Sequence, residues 1–291
     1  MTRPGPDIDD LVAIDVHVHA HTEDEDKAEV GSAAKKYFGS HDVPIELGAL
    51  AAYYRERKMA CVIFAVDETL SGRPIVPNDR VLQAAAENPD VLIPFVSVDP
   101  TRGAEALTET KRLIDTGAVR GFKLHPQLQA FFPNDPAIYP WYELVQTTRL
   151  PVLIHTGHSG MGTGVRGGGG VRLKYGAPMP IDDVAVDFPD MPIIMAHPSF
   201  PWQDEAISVC LHKPNVYIDL SGWSPKYFSP TLVQYADTQL RDKVLFGSDY
   251  PLITPDRWLK DFAALPIRDE VRPKILKGNA ARLLGLTGGA R

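Results

Sequence analysis

The sequence predicts one α/β domain over residues 1–291, folded as a (β/α)8 TIM barrel. Three observations support this prediction: eight short apolar runs, helical segments that alternate with them, and ionisable residues at the ends of the runs. Nearly continuous apolar runs are typical of strands covered on both faces, as in parallel sheets. Eight strand–helix units in a chain slightly longer than the ~250-residue norm favour a TIM barrel. An open doubly wound sheet fits less well, because no Gly-rich fingerprint follows the first run.

The predicted strands are rich in Val, Ile, Leu or Phe. They comprise residues 11–19, 59–67, 91–99, 119–125, 151–157, 191–197, 215–222 and 243–249. The predicted helices comprise residues 46–58, 78–87, 104–116, 139–148, 204–211 and 232–240, with two further pieces at 269–276 and 279–284. Alternation of strands and helices on this scale predicts βαβ units and a parallel sheet.

Two predicted connections are long, residues 20–44 after the first strand and residues 157–180 after the fifth. Long connections in compact domains are usually lids or binding loops. Both follow the C-terminal end of a strand, which is the face where barrel enzymes place their chemistry. We therefore expect the active site at this face.

Composition and charge exclude several classes of protein. The net charge of −7 argues against nucleic-acid or anionic-membrane binding, since both need clustered positive charge. Cys61 and Cys210 each lie in an apolar stretch, which predicts two buried thiols and no disulfide framework. No signal-peptide core and no run of ~18 apolar residues is present, so we expect a cytoplasmic enzyme, with a homodimer left open.

Ionisable side chains close five of the predicted strands. They are His17, His19, Lys123, His125, His155, His197 and Asp249. Five of these seven are histidines, although the whole chain has only nine. Because ionisable groups are costly in apolar strands unless they are paired or bind a metal, their distribution indicates a shared site.

The first strand carries the strongest indication of a metal. Residues i and i+2 of a strand point to the same side, so His17 and His19 can both face the barrel axis. A zinc-like ion prefers nitrogen and carboxylate ligands at ~2.0–2.2 Å, and a third His plus an Asp would leave a position open for substrate. The preceding Asp15 either orients one of these imidazoles or bonds local backbone.

Several motifs together resemble a known family. They are DVHVH at residues 15–19, LIHTG in the fifth strand, MAHP in the sixth, FGSDYP at residues 246–251 and GNAARLLGL at residues 278–286. They resemble the amidohydrolase superfamily, and within it the amidohydrolase-2 branch. That branch contains aminocarboxymuconate semialdehyde decarboxylase, γ-resorcylate decarboxylase and related hydrolases.

The resemblance implies roles for individual residues. His17, His19, His155 and Asp249 would bind one divalent ion, zinc in most members, with manganese as the alternative. His197 would lie beside the ion as a catalytic acid or base. Asp249 would also move a proton to or from the substrate.

Two cationic residues are candidates for binding the substrate. Lys123 has three interpretations: pairing with a substrate anion, a structural ion pair, or a carbamylated bridge between two metals. Arg166 lies in a stretch with eight glycines between residues 157 and 170, followed by Arg172 and Lys174. Bare backbone N–H groups and cations of this kind bind carboxylates or phosphates, although a lid without specific contacts fits the composition as well.

The leading functional hypothesis is hydrolysis of a carbonyl substrate by metal-activated water. Within the branch, the glycine-rich loop resembles a group that cleaves C–C bonds in aromatic β-ketoacyl-CoA esters. The second hypothesis is non-oxidative decarboxylation of a hydroxybenzoate-like acid, which uses the same residues. The third is a barrel that binds metal or ligand without catalysis. In each case the expected partner is a small anionic molecule, aromatic or an acyl-CoA.

Overall fold

Eight parallel strands, hydrogen-bonded in chain order, form the centre of the molecule. The computed structural model describes residues 5–21, 29–39, 43–68 and 75–286. The strands are β1 (Ala13–His19), β2 (Met59–Phe64), β3 (Leu92–Val96), β4 (Gly121–Leu124), β5 (Val152–His155), β6 (Ile193–Ala196), β7 (Val216–Asp219) and β8 (Val244–Leu245). Backbone bonds from Val16 to Phe246 (3.0 Å) and from His19 to Tyr250 (2.8 Å) join β1 to the chain around β8. The predicted barrel is thereby confirmed.

Helices lie between successive strands and cover the outside of the barrel. The α-helices are α1 (Glu29–Phe38), α2 (Leu47–Glu56), α3 (Asn78–Glu87), α4 (Ala104–Asp115), α5 (Pro126–Gln129), α6 (Tyr139–Gln146), α7 (Met179–Asp187), α8 (Gln203–His212), α9 (Pro230–Asp237), α10 (Pro255–Ala263) and α11 (Asn279–Leu283). A π-helix at Lys274–Gly278 runs into α11 and overlaps the helix predicted at residues 269–276.

The sequence interpretation missed α1, α7 and α10, and also the single turn α5. Helix α1 lies inside the first long connection, part of which falls outside the described residues. Helices α7 and α10 carry Pro180 and Pro255 in their first turn, where proline is compatible with a helix rather than a signal against one. Thr254 begins α10 by accepting a hydrogen bond from the backbone N–H of Arg257.

The core has two layers because alternate strand residues face opposite sides. In β2, Cys61 and Ile63 pack outward against the helices, whereas Ala60, Val62 and Phe64 fill the barrel interior. Every residue of β2 is buried, as expected for a parallel strand covered on both faces. Both cysteines of the chain are buried free thiols, as predicted.

Strand β1 contains an irregularity just before its histidines. Its pairing with β2 shifts register between Asp15 and Val18, so that β1 has one extra residue there. Bulges of this kind bend a strand and re-aim its side chains, commonly next to active sites. The shift therefore sets the direction in which His17 and His19 point.

Within the described part of the chain, no helix is long and apolar enough to cross a membrane. The expected cytoplasmic location and homodimer stay predictions.

Candidate metal centre

The polar residues predicted at the strand ends meet at the C-terminal end of the barrel. The Nε2 atoms of His17 and His19 lie 3.2 Å apart. Oδ1 of Asp249 lies 3.3 Å from Nε2 of His17 and 3.2 Å from Nε2 of His19. Two residues of β1 and one that follows β8 thus place three donor atoms around one point.

The separations and protonation states of these donors fit a divalent cation. Atoms bound at ~2.0–2.2 Å to one tetrahedral ion lie at about this distance from each other. Burial, with Lys123 nearby, holds the pKa of His17 well below its usual range, and burial lowers the pKa of His19 to about 3. Both imidazoles are therefore neutral and keep a lone pair for a metal. His17, His197 and Asp249 also offer donor atoms within 4.8 Å of one another.

His155 and His197 lie side by side at this centre. Nε2 of His197 is 2.9 Å from Nδ1 of His155, and burial lowers the pKa of both rings. Nε2 of His155 is buried and has no hydrogen-bond partner among the described residues. The three residues whose donor atoms lie within 4.8 Å of one another include His197 and do not include His155. The assignment of His155 as a ligand and of His197 as an acid or base therefore stays a prediction.

Asp219 is a candidate functional residue that the sequence interpretation missed. Its buried carboxylate accepts a hydrogen bond from Nδ1 of His17 at 2.9 Å. Oγ of Ser221 lies 3.0 Å from Nδ1 of His17 and 2.9 Å from Nδ1 of His197. Partners of this kind fix which ring nitrogen faces a metal. A signal was present, because Asp219 ends the apolar run of β7 much as Asp249 follows that of β8.

Asp15 supports the backbone rather than an imidazole. Its buried carboxylate accepts hydrogen bonds from the backbone N–H groups of His17 (3.1 Å) and Ser248 (2.9 Å) and from the hydroxyl of Tyr54 (2.8 Å). Burial raises the pKa of Asp15 to about 7. Asp15 therefore joins β1 to the segment that carries Asp249.

Unusual backbone conformations occur at two site residues. His197 and Asp249 both have a φ of 71°, in the left-handed region that non-glycine residues rarely adopt. Such residues cluster at functional sites because the surrounding structure holds them there. Gly222 packs against His197, and a Cβ on this glycine would lie 2.4 Å from Nδ1 of His197.

A cavity of about 350 Å³ opens above the donor atoms. Its floor includes His19, His155, His197 and Asp249. Its walls are largely apolar and include Phe38, Val66, Leu128, Met161, Trp223, Leu252 and Ile253. The site therefore combines a polar floor with walls suited to an aromatic or aliphatic body.

The two predicted substrate-binding cations lie outside this cavity. Lys123 is fully buried, with Nζ 3.2 Å from Nε2 of His17, and burial lowers the pKa of Lys123 to about 8. Arg166 is exposed on the glycine-rich loop. Neither lines the cavity, whereas Arg257 does, as the one Lys or Arg among the described lining residues. Substrate binding by Lys123 or Arg166 stays a prediction.

The fold and the donor cluster together point to a class of protein, the TIM-barrel enzymes with a candidate site for a divalent metal. The chain belongs to the amidohydrolase family, whose family model matches residues 14–286. No curated protein sequence matches the chain significantly.

Solved structures agree with this assignment. An uncharacterized TIM-barrel protein from Bordetella bronchiseptica is 25% identical, with a TM-score of 0.78 over 95% of this chain and 99% of that one. A dihydroxybenzoic acid decarboxylase from Polaromonas, with bound manganese and the inhibitor 2-nitroresorcinol, is 17% identical (TM-score 0.65, coverage 96% and 98%). A probable 2-pyrone-4,6-dicarboxylic acid hydrolase from Acinetobacter baumannii, with citric acid bound, is 17% identical (TM-score 0.61, coverage 94% and 100%). The last two are similar to this chain in fold.

Proposed function

We propose that this protein is a metal-dependent decarboxylase of a compact aromatic acid. The observation that carries the proposal is the cavity of about 350 Å³, which has donor atoms at its floor and apolar walls above them. Pockets of this size enclose a small ligand, and a whole acyl-CoA is far larger. The loop cations on which a CoA ester would depend, Arg166, Arg172 and Lys174, do not line the cavity. The compact acid is therefore favoured over the β-ketoacyl-CoA ester.

The apolar walls favour loss of CO2 for a physical reason. A carboxylate concentrates negative charge on two oxygens. Once the ring carbon is protonated, the transition state of decarboxylation disperses this charge, because the electron pair of the breaking bond moves into the π system of the ring. Apolar surroundings disfavour the concentrated charge more than the dispersed one. Interactions that are better in the transition state than in the ground state accelerate a reaction.

The donor set assigns roles to the residues of the chain. His17, His19 and Asp249 would hold the ion, together with His155 or His197. A bound divalent ion supplies Lewis-acid chemistry that orients and polarises a substrate oxygen, and the nitrogen-rich donors favour zinc, with manganese as the alternative. Asp249, at the cavity floor, would first deliver a proton to the ring carbon that bears the carboxylate, and a π electron pair of the hydroxylated ring would form the new C–H bond. The bond to the carboxyl carbon would then break, its electron pair would restore the aromatic ring, and CO2 would leave.

Hydrolysis is the second candidate, and the histidines at the cavity favour it. Burial keeps the imidazoles of His125, His155 and His197 neutral by lowering their pKa. A neutral imidazole accepts a proton from water, which is the task of a general base in hydrolysis. The same cavity would then take a compact lactone or ketone with a carboxylate.

Isotope incorporation separates the two reactions. The metal-loaded protein is incubated with dihydroxybenzoates and with 2-pyrone-4,6-dicarboxylate, in D2O and in H2¹⁸O. Decarboxylation is expected to release CO2 and to place deuterium on the ring carbon. Incorporation of ¹⁸O into a product carboxylate would instead establish hydrolysis. Binding of these acids without turnover of either kind would favour a non-catalytic barrel.

A further inference from the structure

His125 is a cavity residue that neither the donor set nor the hydrogen-bond network around His17 uses. It follows β4, is 4% exposed, and lines the cavity. Its backbone N–H donates to Oε1 of Gln129 at 2.8 Å, and its carbonyl accepts from the backbone N–H groups of Leu128 and Gln129. The turn into α5 therefore holds His125 in place.

The ring of His125 is packed against a neighbouring ring, but one of its nitrogen atoms makes no hydrogen bond within the described part of the chain. It stacks on the ring of His155, with centroids 3.9 Å apart and an angle of 11° between the planes. Nδ1 of His125 is buried and has no hydrogen-bond partner in the described part of the chain. Leaving a buried polar atom without a partner is destabilising, and such atoms in native proteins commonly serve a ligand or a reaction.

We propose that His125 is a substrate-binding residue that forms a hydrogen bond with an oxygen of the aromatic acid. A neutral imidazole offers one donor and one acceptor, which suits a carboxylate or a phenolic hydroxyl. Stacking on His155 fixes the ring plane, so little freedom is lost when the substrate binds. This inference rests on the proposed function, because it requires an acid bound above the metal centre.

Two substitutions at His125 separate hydrogen bonding from packing. His125→Phe keeps an aromatic ring against His155 and removes both nitrogens, whereas His125→Asn restores a polar atom near the position of Nδ1. Binding of 2,6-dihydroxybenzoate to the metal-loaded proteins is measured by calorimetry, and metal content by elemental analysis. His212→Phe is the control, since His212 ends α8 and does not line the cavity.

His125→Phe is expected to keep its metal and to bind 2,6-dihydroxybenzoate roughly ten- to a hundredfold more weakly, the usual worth of a hydrogen bond to a charged group. His125→Asn is expected to recover part of this loss, and His212→Phe to bind as the parent does. Unchanged affinity in His125→Phe, or loss of its metal, would overturn the inference while leaving the proposed function intact. Failure of the parent to bind or turn over any of the acids would overturn the proposed function itself.

Discussion

At the scale of single residues, Asp219 decides which nitrogen of His17 faces the metal centre. It accepts the Nδ1 hydrogen of His17 at 2.9 Å, and this leaves the lone pair on Nε2, beside His19 and Asp249. A carboxylate in this position also makes the imidazole a more basic ligand. The candidate metal centre therefore includes Asp219, which contacts a candidate ligand without being one.

The substitution Asp219→Asn tests this role. It keeps the size of the side chain but removes the charge, so we expect metal affinity to fall by roughly 10–100-fold, the usual effect of changing a partner of a metal-bound histidine. Competition with a chelator of known affinity measures the change. Asp115→Asn, at an exposed i,i+4 pair with Lys111, is the control and should bind metal normally. Equal affinity in all three proteins would contradict the assignment.

Two arginines differ in their position relative to the cavity. Nη1 of Arg257 donates to the carbonyl of Phe38 at 3.1 Å, and Arg257 lines the cavity. Its remaining N–H donors are suited to a carboxylate remote from the reacting bond. Arg166 is equally cationic but lies on the exposed loop.

Replacing each arginine with methionine distinguishes them. We expect Arg257→Met to raise KM roughly tenfold with little change in kcat, because a remote contact contributes mainly uniform binding. The effect should be larger for a dicarboxylate than for a monocarboxylate. Arg166→Met is expected to leave both parameters unchanged. Steady-state kinetics with both types of acid make the comparison, and the opposite pattern would restore Arg166 as the substrate-binding residue.

At the scale of elements, the seam between β1 and the chain after β8 carries most of the donor atoms. Asp15 fixes the backbone on both sides of this seam through His17 and Ser248. The backbone N–H of Asp249 donates to the carbonyl of His17 at 3.0 Å. The contacts that close the barrel therefore also hold the donor cluster together.

The turn after β7 supports His197 from the other side. Gly222 has a φ of 72°, and an added Cβ would lie 2.4 Å from Nδ1 of His197. We expect Gly222→Ala to lower stability by about 1–3 kcal/mol and to reduce activity at least tenfold, because His197 must move. Thermal unfolding and kinetics measure the two effects.

Gly103→Ala is the matched control for this substitution. Gly103 has a φ of 58°, but a Cβ there would meet nothing within 4 Å. This variant should lose some stability, because alanine is strained in the left-handed conformation, but it should keep normal activity. If Gly222→Ala retained full activity, the placement of His197 would not matter to the reaction.

At the scale of the whole molecule, the barrel collects many buried polar groups at one end. His17 and Lys123 are 0% exposed and Asp249 is 6% exposed. Burial raises the pKa of Asp249 and lowers the pKa of Lys123, which means that it disfavours the charged form of each. A divalent ion bound only to the folded protein would offset this cost at the carboxylate of Asp249.

Metal removal is therefore expected to destabilise the entire fold. A ligand present at 100 times its Kd stabilises the native state by about 2.7 kcal/mol, which corresponds to a rise in Tm of roughly 5–10 °C. Chelation should lower Tm by this amount, and added zinc or manganese should restore it. Elemental analysis should find about one ion per chain. Two tightly held ions would contradict the single-ion centre and favour a carbamylated Lys123.

The barrel and most of the polar residues at its C-terminal end could be predicted from the sequence alone. Parallel strands are buried on both faces, so their apolar runs are visible without any knowledge of packing, and a histidine or aspartate that interrupts such a run is conspicuous. His17, His19, His155, His197 and Asp249 could be found in this way. The positions of α7 and α10 could not, because proline permits a first helical turn as readily as it ends a helix.

The residues that contact these five could be identified only from the folded structure. Asp219 meets His17 across 202 positions of sequence, and Arg257 rather than Arg166 lines the cavity. The stacking of His125 on His155 joins the ends of two adjacent strands. The periodicity of apolar residues is a local property of the sequence. Contacts of this kind depend on the register between neighbouring strands and on the closure of the barrel. Function at this site is therefore decided by packing that no single segment of the sequence specifies.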